Sequence, residues 1–463
     1  MDISAALEPL LAPIVSAMAS VLFFPVAGFP FIVLWLVVAA LFFTLYLRFV
    51  NLRLLGHAFR IAAGKVPEPG SSGEVSPLQA LLSALAATVG LGSLAGVAVA
   101  VAVGGPGAIF WIVVMGLFGM ASKFAEVVLS MKYRKVDAAG KVYGGPIQYL
   151  RDGLAARGMA GFGKVLAALF ALFILGGAIG GGNMFQSNQV VKVMVLEIPA
   201  LATMKWVPAL AFAALVGLVL FGSIKRIAKV AEAVTPMKGI LFLLCAVVIV
   251  AVNISNLPHA LGLIVHGAFS PDAVSGGMAG MLIVAFKRAL FANEAGLGSA
   301  PIAHAAAKTQ EPVREGAVAL IEPLFAAAIA LLTGLIIVIT GAHEGASLED
   351  GILITAKAFA SVGDWFTILL AINVFLFAYG TSIGWSYYGE IAWSYLFGRK
   401  LIKCYYVLFA LACFTGGVLN FGVVVDFSDL LILGAALPNI IALYILRREI
   451  RDALTSYTAK LKG

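Results

Sequence analysis

The tetrapeptide Gly-Leu-Gly-Ser occurs twice in this chain of 463 residues, at positions 90–93 and 296–299. Each copy interrupts a long apolar segment with small residues that tolerate unusual backbone dihedral angles. A helix broken in this way exposes N–H groups that attract a carboxylate, and carbonyl groups that can hold an ammonium group or a sodium ion. Chance, or close helix packing in a chain with 50 glycines, is the alternative explanation. We favour binding, because the interruptions lie five apolar segments apart and therefore on helices that cross a membrane in opposite directions.

Two further clusters place polar groups inside apolar segments. Residues 183–189 contain four amide side chains, and Asn183 and Gln186 lie three residues apart on one helical face. These two are our candidates for facing a polar cavity, although hydrogen bonding between helices would also explain them. Thr381 and Ser382 are neighbouring hydroxyls that could complete an oxygen cage for a small hard cation. Hydroxyls bonded back to their own helix are the equally good alternative.

Ionisable residues inside apolar segments are candidates for function, and some suggest local pairs. Lys123 and Glu126 lie three residues apart and are predicted to form an ion pair. Lys287, Arg288 and Glu294 are close enough in sequence to pair with one another near the second interruption. Three more residues have no assignable partner: Lys238, Glu322 and Glu390. The histidines have no metal-ligand spacing, and no series of acids and histidines is evident.

The composition requires a membrane. Apolar residues make up 62% of the chain and charged residues 12%, with a mean hydropathy of +1.04. Soluble globular proteins have about 45–50% apolar and about 25% charged residues, so a soluble enzyme and a disordered chain are both excluded. The net charge of +8 does not indicate nucleic-acid binding, because the basic residues lie at the ends of apolar segments. The three cysteines show no disulfide or metal spacing, and the start of the chain does not resemble a cleavable signal peptide.

Eleven apolar segments, delimited by their length and by the charges that end them, are predicted membrane spans. They are Val21–Leu47, Leu78–Val103, Ala108–Met131, Phe162–Val190, Pro208–Phe221, Val234–Ile254, Gly276–His304, Gly316–Gly341, Trp365–Phe397, Cys404–Leu419 and Leu430–Leu446. When the segments alternate in direction, 24 of the 31 lysines and arginines fall on one side. The positive-inside rule then predicts an external N-terminus and a cytoplasmic C-terminus in the inner (plasma) membrane. Amphipathic helices are predicted at residues 52–61 on the cytoplasmic surface and 348–359 on the outside.

Other functional classes lack their sequence features. A channel needs a continuous polar lining, whereas the polar residues here form separate clusters. An intramembrane enzyme is not supported, since neither a His-Glu-x-x-His metal motif nor a Gly-x-Ser-x-Gly elbow is present. ATP-driven transport would need a phosphate-binding loop, which is also missing. A secondary transporter is the remaining class.

Nearly the whole chain resembles the alanine/glycine–cation symporter family. The motifs that carry the resemblance are Thr88–Gly96, Gly105–Trp111, Lys123–Glu126, Gly144–Pro146, Gly182–Gln189, Gly222–Ala228 and, longest and most specific, Phe291–Ala305. Ala292 departs from the pattern, because serine is commoner at that position in the family. This single departure leaves the family resemblance intact and marks a position where the substrate preference could differ.

The resemblance implies an all-α polytopic LeuT-type fold, with one extra N-terminal helix before two inverted five-helix repeats. In this chain the repeats would span residues 77–255 and 276–446, after an N-terminal part at 1–76 and before a cytoplasmic tail at 447–463. Sodium would be the coupling ion for uptake of alanine or glycine, with no other cofactor, no nucleic acid and no obligate protein partner. A carrier of the same fold for another solute, such as a larger amino acid or a nucleobase, or coupling to protons, is the alternative.

The resemblance also implies the site residues. The substrate would meet Thr88, Gly90, Gly92, Gln186, Phe291, Asn293, Gly296, Gly298 and Trp385. Sodium would be held by backbone oxygens of Ala86 and Val89 together with Thr381 and Ser382. Phe291 and Trp385 are the candidate pocket walls that would restrict the substrate to small amino acids.

Overall fold

The computed structural model describes residues 13, 16–17, 19–66, 68, 73–136, 142–220, 224–270 and 277–461. This part of the chain is mostly helical. Its α-helices, numbered along the chain, are α1 Phe31–Tyr46, α2 Val50–Arg53, α3 Leu55–Ala62, α4 Pro77–Thr88, α5 Ala95–Gly104, α6 Ala108–Tyr133, α7 Pro146–Gln148, α8 Ala160–Ile179, α9 Phe185–Glu197, α10 Trp206–Leu220, α11 Ile224–Val252, α12 Leu257–Gly267, α13 Gly277–Asn293, α14 Ala300–His304, α15 Pro312–Ala319, α16 Ile321–Ile339, α17 Ile352–Ala360, α18 Thr367–Phe397, α19 Ile402–Val418, α20 Phe421–Gly434, α21 Ala436–Ile445 and α22 Arg447–Lys460.

Shorter elements connect these helices. Turns of 3₁₀-helix occupy Leu91–Ser93, Pro199–Thr203, Ile254–Asn256, Leu348–Asp350, Asp364–Phe366 and Arg399–Leu401, and π-helix occupies Tyr149–Gly153 and Gly180–Met184. Two antiparallel pairs of two-residue strands occur, β1 Pro25–Val26 with β2 Phe29–Pro30, and β3 Lys135–Val136 with β4 Val142–Tyr143. The predicted amphipathic segments are helical, at α2 and α3 and at Leu348–Asp350 followed by α17.

The two Gly-Leu-Gly-Ser segments break their helices, as predicted. The first break separates α4 from α5, and the helices on its two sides are bent by 57°. The start of α4 is fixed by a capping box, in which Ser76 and Gln79 bond each other's backbone N–H groups at 3.1 and 3.2 Å. The second break separates α13 from α14, with glycines at positive φ in between.

Two predicted segment boundaries are wrong. The first segment is not a continuous helix, because strands β1 and β2, each containing a proline, form a tight turn before α1. The last segment begins earlier than predicted, since Phe421 starts α20 and Ile445 ends α21. The added part of the helix includes Asp429, which is buried in ion pairs with Lys287 and Arg288 and so is compatible with a membrane helix.

The described residues contain seven helices long and apolar enough to span a membrane, or eight if the bent pair α4–α5 counts as one span. Helices α1 and α10 are apolar but shorter; with 16 residues, α1 is about 24 Å long, less than the ~30 Å of hydrocarbon. The count of eleven spans therefore stays a prediction.

Two long helices hold the broken helices in place. Helix α6 packs against α1, α13, α15 and α16, and helix α18 packs against α4, α8, α9 and α11. The breaks themselves are buried, with every residue of 86–98 and 288–307 enclosed by protein. Irregular backbone is tolerated at membrane depth only in such a setting.

Candidate functional site

The first break leaves two backbone carbonyls without partners in their own helix. Helix α4 ends at Thr88, and the N–H groups that would normally bond the oxygens of Ala86 and Val89 turn elsewhere. The Gly90 N–H bonds the Thr88 oxygen at 3.0 Å, and the Ser93 N–H bonds the Gly90 oxygen at 3.1 Å. The freed oxygens face α18 and α11.

Two of the predicted sodium ligands, Ala86 and Thr381, are in contact at this point. Thr381 on α18 donates its hydroxyl to the Ala86 oxygen at 3.1 Å. A Cβ at Gly90 would overlap the Thr381 hydroxyl, so only glycine lets the two segments approach this closely. The Ser382 hydroxyl is fully buried and has no hydrogen-bond partner within the described residues. We call Ala86, Val89, Thr381 and Ser382 the oxygen cage.

A lysine that the sequence interpretation left without a partner lies in this cage. The Lys238 ammonium group donates to the Val89 oxygen at 2.7 Å and to the Ala86 oxygen at 3.2 Å. It also lies 5.0 Å from the centre of the Phe377 ring, a favourable arrangement for a cation. The sequence signal was a single lysine in an apolar segment, and the cage oxygens were its missing partners.

The candidate substrate wall is built around the glycine-rich π-helix at Gly180–Met184. Gln186, just after it, accepts from the Leu91 N–H at 3.2 Å through Oε1 and donates to the Gly181 oxygen at 2.8 Å through Nε2. It thereby ties the first break to the π-helix. Both ends of this amide are engaged by backbone groups.

Two aromatic rings close this wall. A Cβ at Gly92 would lie 2.8 Å from Cδ1 of Phe291, and a Cβ at Gly182 would overlap Trp385. Both rings are buried, and Phe291 lies against Gly181 as well. The structure therefore brings together Gly92, Gln186, Phe291 and Trp385 from four different helical segments.

The second break is held mainly by the scaffold. Glu294, Gly296 and Gly298 have φ of 52°, 84° and 81°, so the chain turns sharply between α13 and α14. Asn293 caps the turn by accepting from the Ala295 N–H at 2.9 Å. The Gly296 oxygen accepts from Asn439 at 2.8 Å.

The two glycines of this break contact residues other than Gln186. The Gly298 N–H donates to Glu126 at 3.0 Å, and a Cβ at Gly298 would press on Pro146 and Phe170. Gly296 is packed against Leu36 of the N-terminal helix α1. The structure thus does not place Gly296 and Gly298 with the residues of the aromatic wall.

Glu294 connects the second break to that wall. Its side chain accepts from the Trp385 indole N–H at 3.0 Å and from the Ser299 hydroxyl, while its backbone oxygen accepts from Lys123 at 3.0 Å. The Lys123 ammonium also lies 3.8 Å from Glu126, so the predicted pair exists, and 3.9 Å from Glu322. Sequence reasoning missed the bond from Glu294 to Trp385.

A buried acid–histidine series is present, contrary to our expectation. His304 contacts Glu315 through Nδ1 and Glu322 through Nε2, both at 2.6 Å. Glu322 in turn accepts from the Thr88 hydroxyl at 3.3 Å, at the end of α4. His304, Glu315 and Glu322 lie on three different helices, α14, α15 and α16. Sequence spacing alone therefore did not reveal the series.

Two other expectations are corrected. Lys287 and Arg288 do not pair with Glu294; both pair with Asp429 on α20. Asn183 does not share a cavity with Gln186, because its amide donates to the Phe409 oxygen on α19 at 2.6 Å. Glu390, which had no assigned partner, accepts from Tyr406 at 3.1 Å.

A family model described as the sodium:alanine symporter family matches residues 11–463. The chain belongs to the sodium:alanine symporter family. Among curated relatives, the "Sodium/alanine symporter AgcS" of Methanococcus maripaludis is 38% identical over 421 residues, covering 90% of this chain and 92% of the relative. The "Probable sodium/glutamine symporter GlnT" of Bacillus subtilis is 34% identical, with 91% and 87% covered.

Among solved structures, the crystal structure of MhsT in complex with L-phenylalanine superposes with a TM-score of 0.55 at 16% identity. The match covers 81% of this chain and 90% of MhsT and supports a LeuT-type fold. Membership of the sodium:alanine symporter family makes this chain a multi-pass membrane protein and a sodium-coupled amino-acid symporter, not an enzyme.

Proposed function

We propose that this member of the sodium:alanine symporter family carries small amino acids, alanine and glycine first, by alternating access. The observation that carries the proposal is the meeting of the first break with Gln186, Phe291 and Trp385. Interrupted helices at the centre of a transporter are where backbone groups become free to bind a zwitterion. The name of the relative AgcS supports alanine as the substrate.

The size limit follows from the glycines that face the two rings. Phe291 and Trp385 already contact the positions of Gly92 and Gly182, so the wall offers little unfilled volume beside the break. Enlarging a side chain in a packed site costs about 1–3 kcal/mol. Alanine and glycine should therefore bind well, whereas leucine and phenylalanine should not.

The alternatives are a larger solute or another coupling ion. The name of the relative GlnT favours glutamine as the specific competitor to test. The buried series Glu315–His304–Glu322 is the feature that would support coupling to protons, because it links three ionisable groups to the end of α4.

We further propose the membrane arrangement. The chain would lie in the inner membrane with its N-terminus outside and its C-terminus inside, as the distribution of basic residues predicts. The inverted repeats would be residues 77–255 and 276–446, after the N-terminal part at 1–76 and before the tail at 447–463. One break in each repeat, at α4–α5 and α13–α14, supports this division.

Uptake into proteoliposomes tests the proposal. Radiolabelled alanine should accumulate when an inward sodium gradient is imposed, and should not when potassium replaces sodium or when only a proton gradient is present. Unlabelled glycine and alanine should compete, and leucine and phenylalanine should not. Accumulation driven by protons alone, or competition by glutamine equal to that by alanine, would favour an alternative.

A further inference from the structure

The oxygen cage at the first break already contains the side-chain nitrogen of a lysine. The Lys238 ammonium bonds the oxygens of both Ala86 and Val89, the two backbone groups that the break sets free. Its third neighbour, Thr381, shares the Ala86 oxygen at 3.1 Å. An ammonium group with this set of oxygen neighbours occupies the position of a bound cation.

The surroundings hold the Lys238 side chain in the cage. Lys238 is only 1% exposed, and every hydrogen bond that the structure gives it is to a neutral carbonyl. On another side, Lys238 borders a groove of about 580 Å³ whose walls are almost entirely apolar, including Leu243 and Phe325. A lysine that left the cage on that side would enter hydrocarbon-like surroundings, which are unfavourable for a charge.

The cage also has little room for two cations. Gly90 is in contact with Thr381, and a Cβ at Gly380 would lie 3.4 Å from the Lys238 nitrogen. A sodium ion on the oxygens of Ala86 and Val89 would lie directly against the ammonium group. Two like charges at that separation in a buried site repel each other strongly.

We propose that the Lys238 ammonium is the resident cation of the oxygen cage, and that the sodium carried by this chain binds at another position. This inference rests on the proposed function, since it concerns the sodium site of the same transporter. It replaces the assignment of the cage to sodium that the family resemblance implied.

The test counts the sodium ions transported with each alanine. Reversal potentials in proteoliposomes give this ratio for the unmodified protein, for Lys238→Ala, and for the double variant Lys238→Ala with Thr381→Ala. Lys229→Ala is the matched control, because it removes an exposed lysine from the same helix. The emptied cage of Lys238→Ala should accept a sodium ion, so the ratio should rise by about one.

In the double variant, the loss of one oxygen ligand should raise the sodium concentration for half-maximal uptake by about fivefold or more over Lys238→Ala. Lys229→Ala should match the unmodified protein. Lys238→Ser, which is also too short to reach the two carbonyls, repeats the test should the alanine variant fail to insert.

Three results would overturn the inference. An unchanged ratio in Lys238→Ala would show that the ammonium does not stand in for a cation. A lower sodium concentration for half-maximal uptake in Lys238→Ala, at an unchanged ratio of sodium to alanine, would show that sodium displaces the ammonium in the unmodified protein. A sodium-bound structure of the unmodified protein with the ion on Ala86 and Val89 would show the same directly, whereas an ion elsewhere supports the inference. Absence of sodium-driven uptake in the unmodified protein would instead refute the proposed function.

Discussion

Gln186 should control alanine affinity, because it joins the first break to the π-helix. The change Gln186→Ala removes the acceptor of the Leu91 N–H and the donor to the Gly181 oxygen, at 3.2 and 2.8 Å. A buried polar group left without a partner costs about 1–3 kcal/mol. We expect the loss of these two bonds to weaken alanine binding at the first break by this amount, so that alanine affinity falls about 5- to 150-fold.

Gln189→Ala is the matched control for this experiment. Gln189 is the same residue type on the same helix α9, and it too accepts from a backbone N–H, that of Ile352 at 2.9 Å, and donates to an oxygen, on Asn188 at 2.9 Å. The bond from Ile352, however, secures the start of helix α17. Equilibrium binding of radiolabelled alanine should therefore be weakened strongly by Gln186→Ala and by no more than about twofold by Gln189→Ala.

Thermal unfolding separates binding from stability. Both variants lose two buried hydrogen bonds, so both should lower the melting temperature, and by similar amounts. Alanine affinity within twofold of the unmodified protein in Gln186→Ala would refute our reasoning and make Gln186 a purely structural tie. Equal losses of affinity in the two variants would refute it as well, because the effect would then not depend on the position of the break.

Three further predictions concern the wall, a buried charge and the hydrogen bonds of Glu449. Trp385→Leu should let leucine compete for alanine uptake, at some loss of alanine affinity, because it opens space beside Gly182; unchanged leucine exclusion would contradict this. Asp429→Asn should destabilise the protein by about 3–5 kcal/mol in denaturant unfolding, since it leaves Arg288 buried without its counter-charge; a change under about 1 kcal/mol would contradict the pairing. Burial alone would raise the pKa of Glu449, but hydrogen bonds from Lys132, Tyr133 and Arg157 lower it overall. Glu449→Gln should therefore reduce the melting temperature at pH 7. The substitution should have no effect once acid has protonated the carboxylate.

The pH dependence expected for Glu449→Gln follows from the linkage between protonation and folding. A carboxylate whose pKa is lower in the folded state stabilises that state above its unfolded pKa of about 4.3, and this contribution disappears as the pH falls through the folded pKa. The difference in melting temperature between Glu449→Gln and the unmodified protein should therefore shrink only below about pH 4. A difference that is constant from pH 7 down to strongly acidic conditions would contradict the role of these hydrogen bonds.

Local features of the sequence predicted much of this fold. Three kinds of feature depend only on spacing within one segment, and the structure contains them: the two Gly-Leu-Gly-Ser breaks, the helical segments and the pair Lys123–Glu126. The membrane environment strengthens such signals, because backbone groups must be bonded within each helix wherever lipid surrounds it. The late start of α1 and the early start of α20 are the exceptions, and the prolines before α1 were visible in the sequence.

Contacts between distant segments were the part that could not be predicted. Arg288 and Asp429 are 141 positions apart, and Lys238 lies 149 positions from Val89. Nothing local indicates which buried charge meets which partner, so Lys238 had no assignable partner in the sequence. The same reason hid the bond from Trp385 to Glu294, which places a predicted wall residue against the second break.

Alanine binding measured at a series of sodium concentrations is the most direct test of the central claim, that binding of sodium and binding of a small amino acid are coupled in this protein. Because coupling between two ligands is reciprocal, sodium should tighten alanine binding to the purified protein, and alanine should tighten sodium binding by the same factor. Typical coupling of about 1–3 kcal/mol predicts a change of about 5- to 150-fold. Alanine affinity that does not change between sodium-free and sodium-saturated conditions would contradict the account.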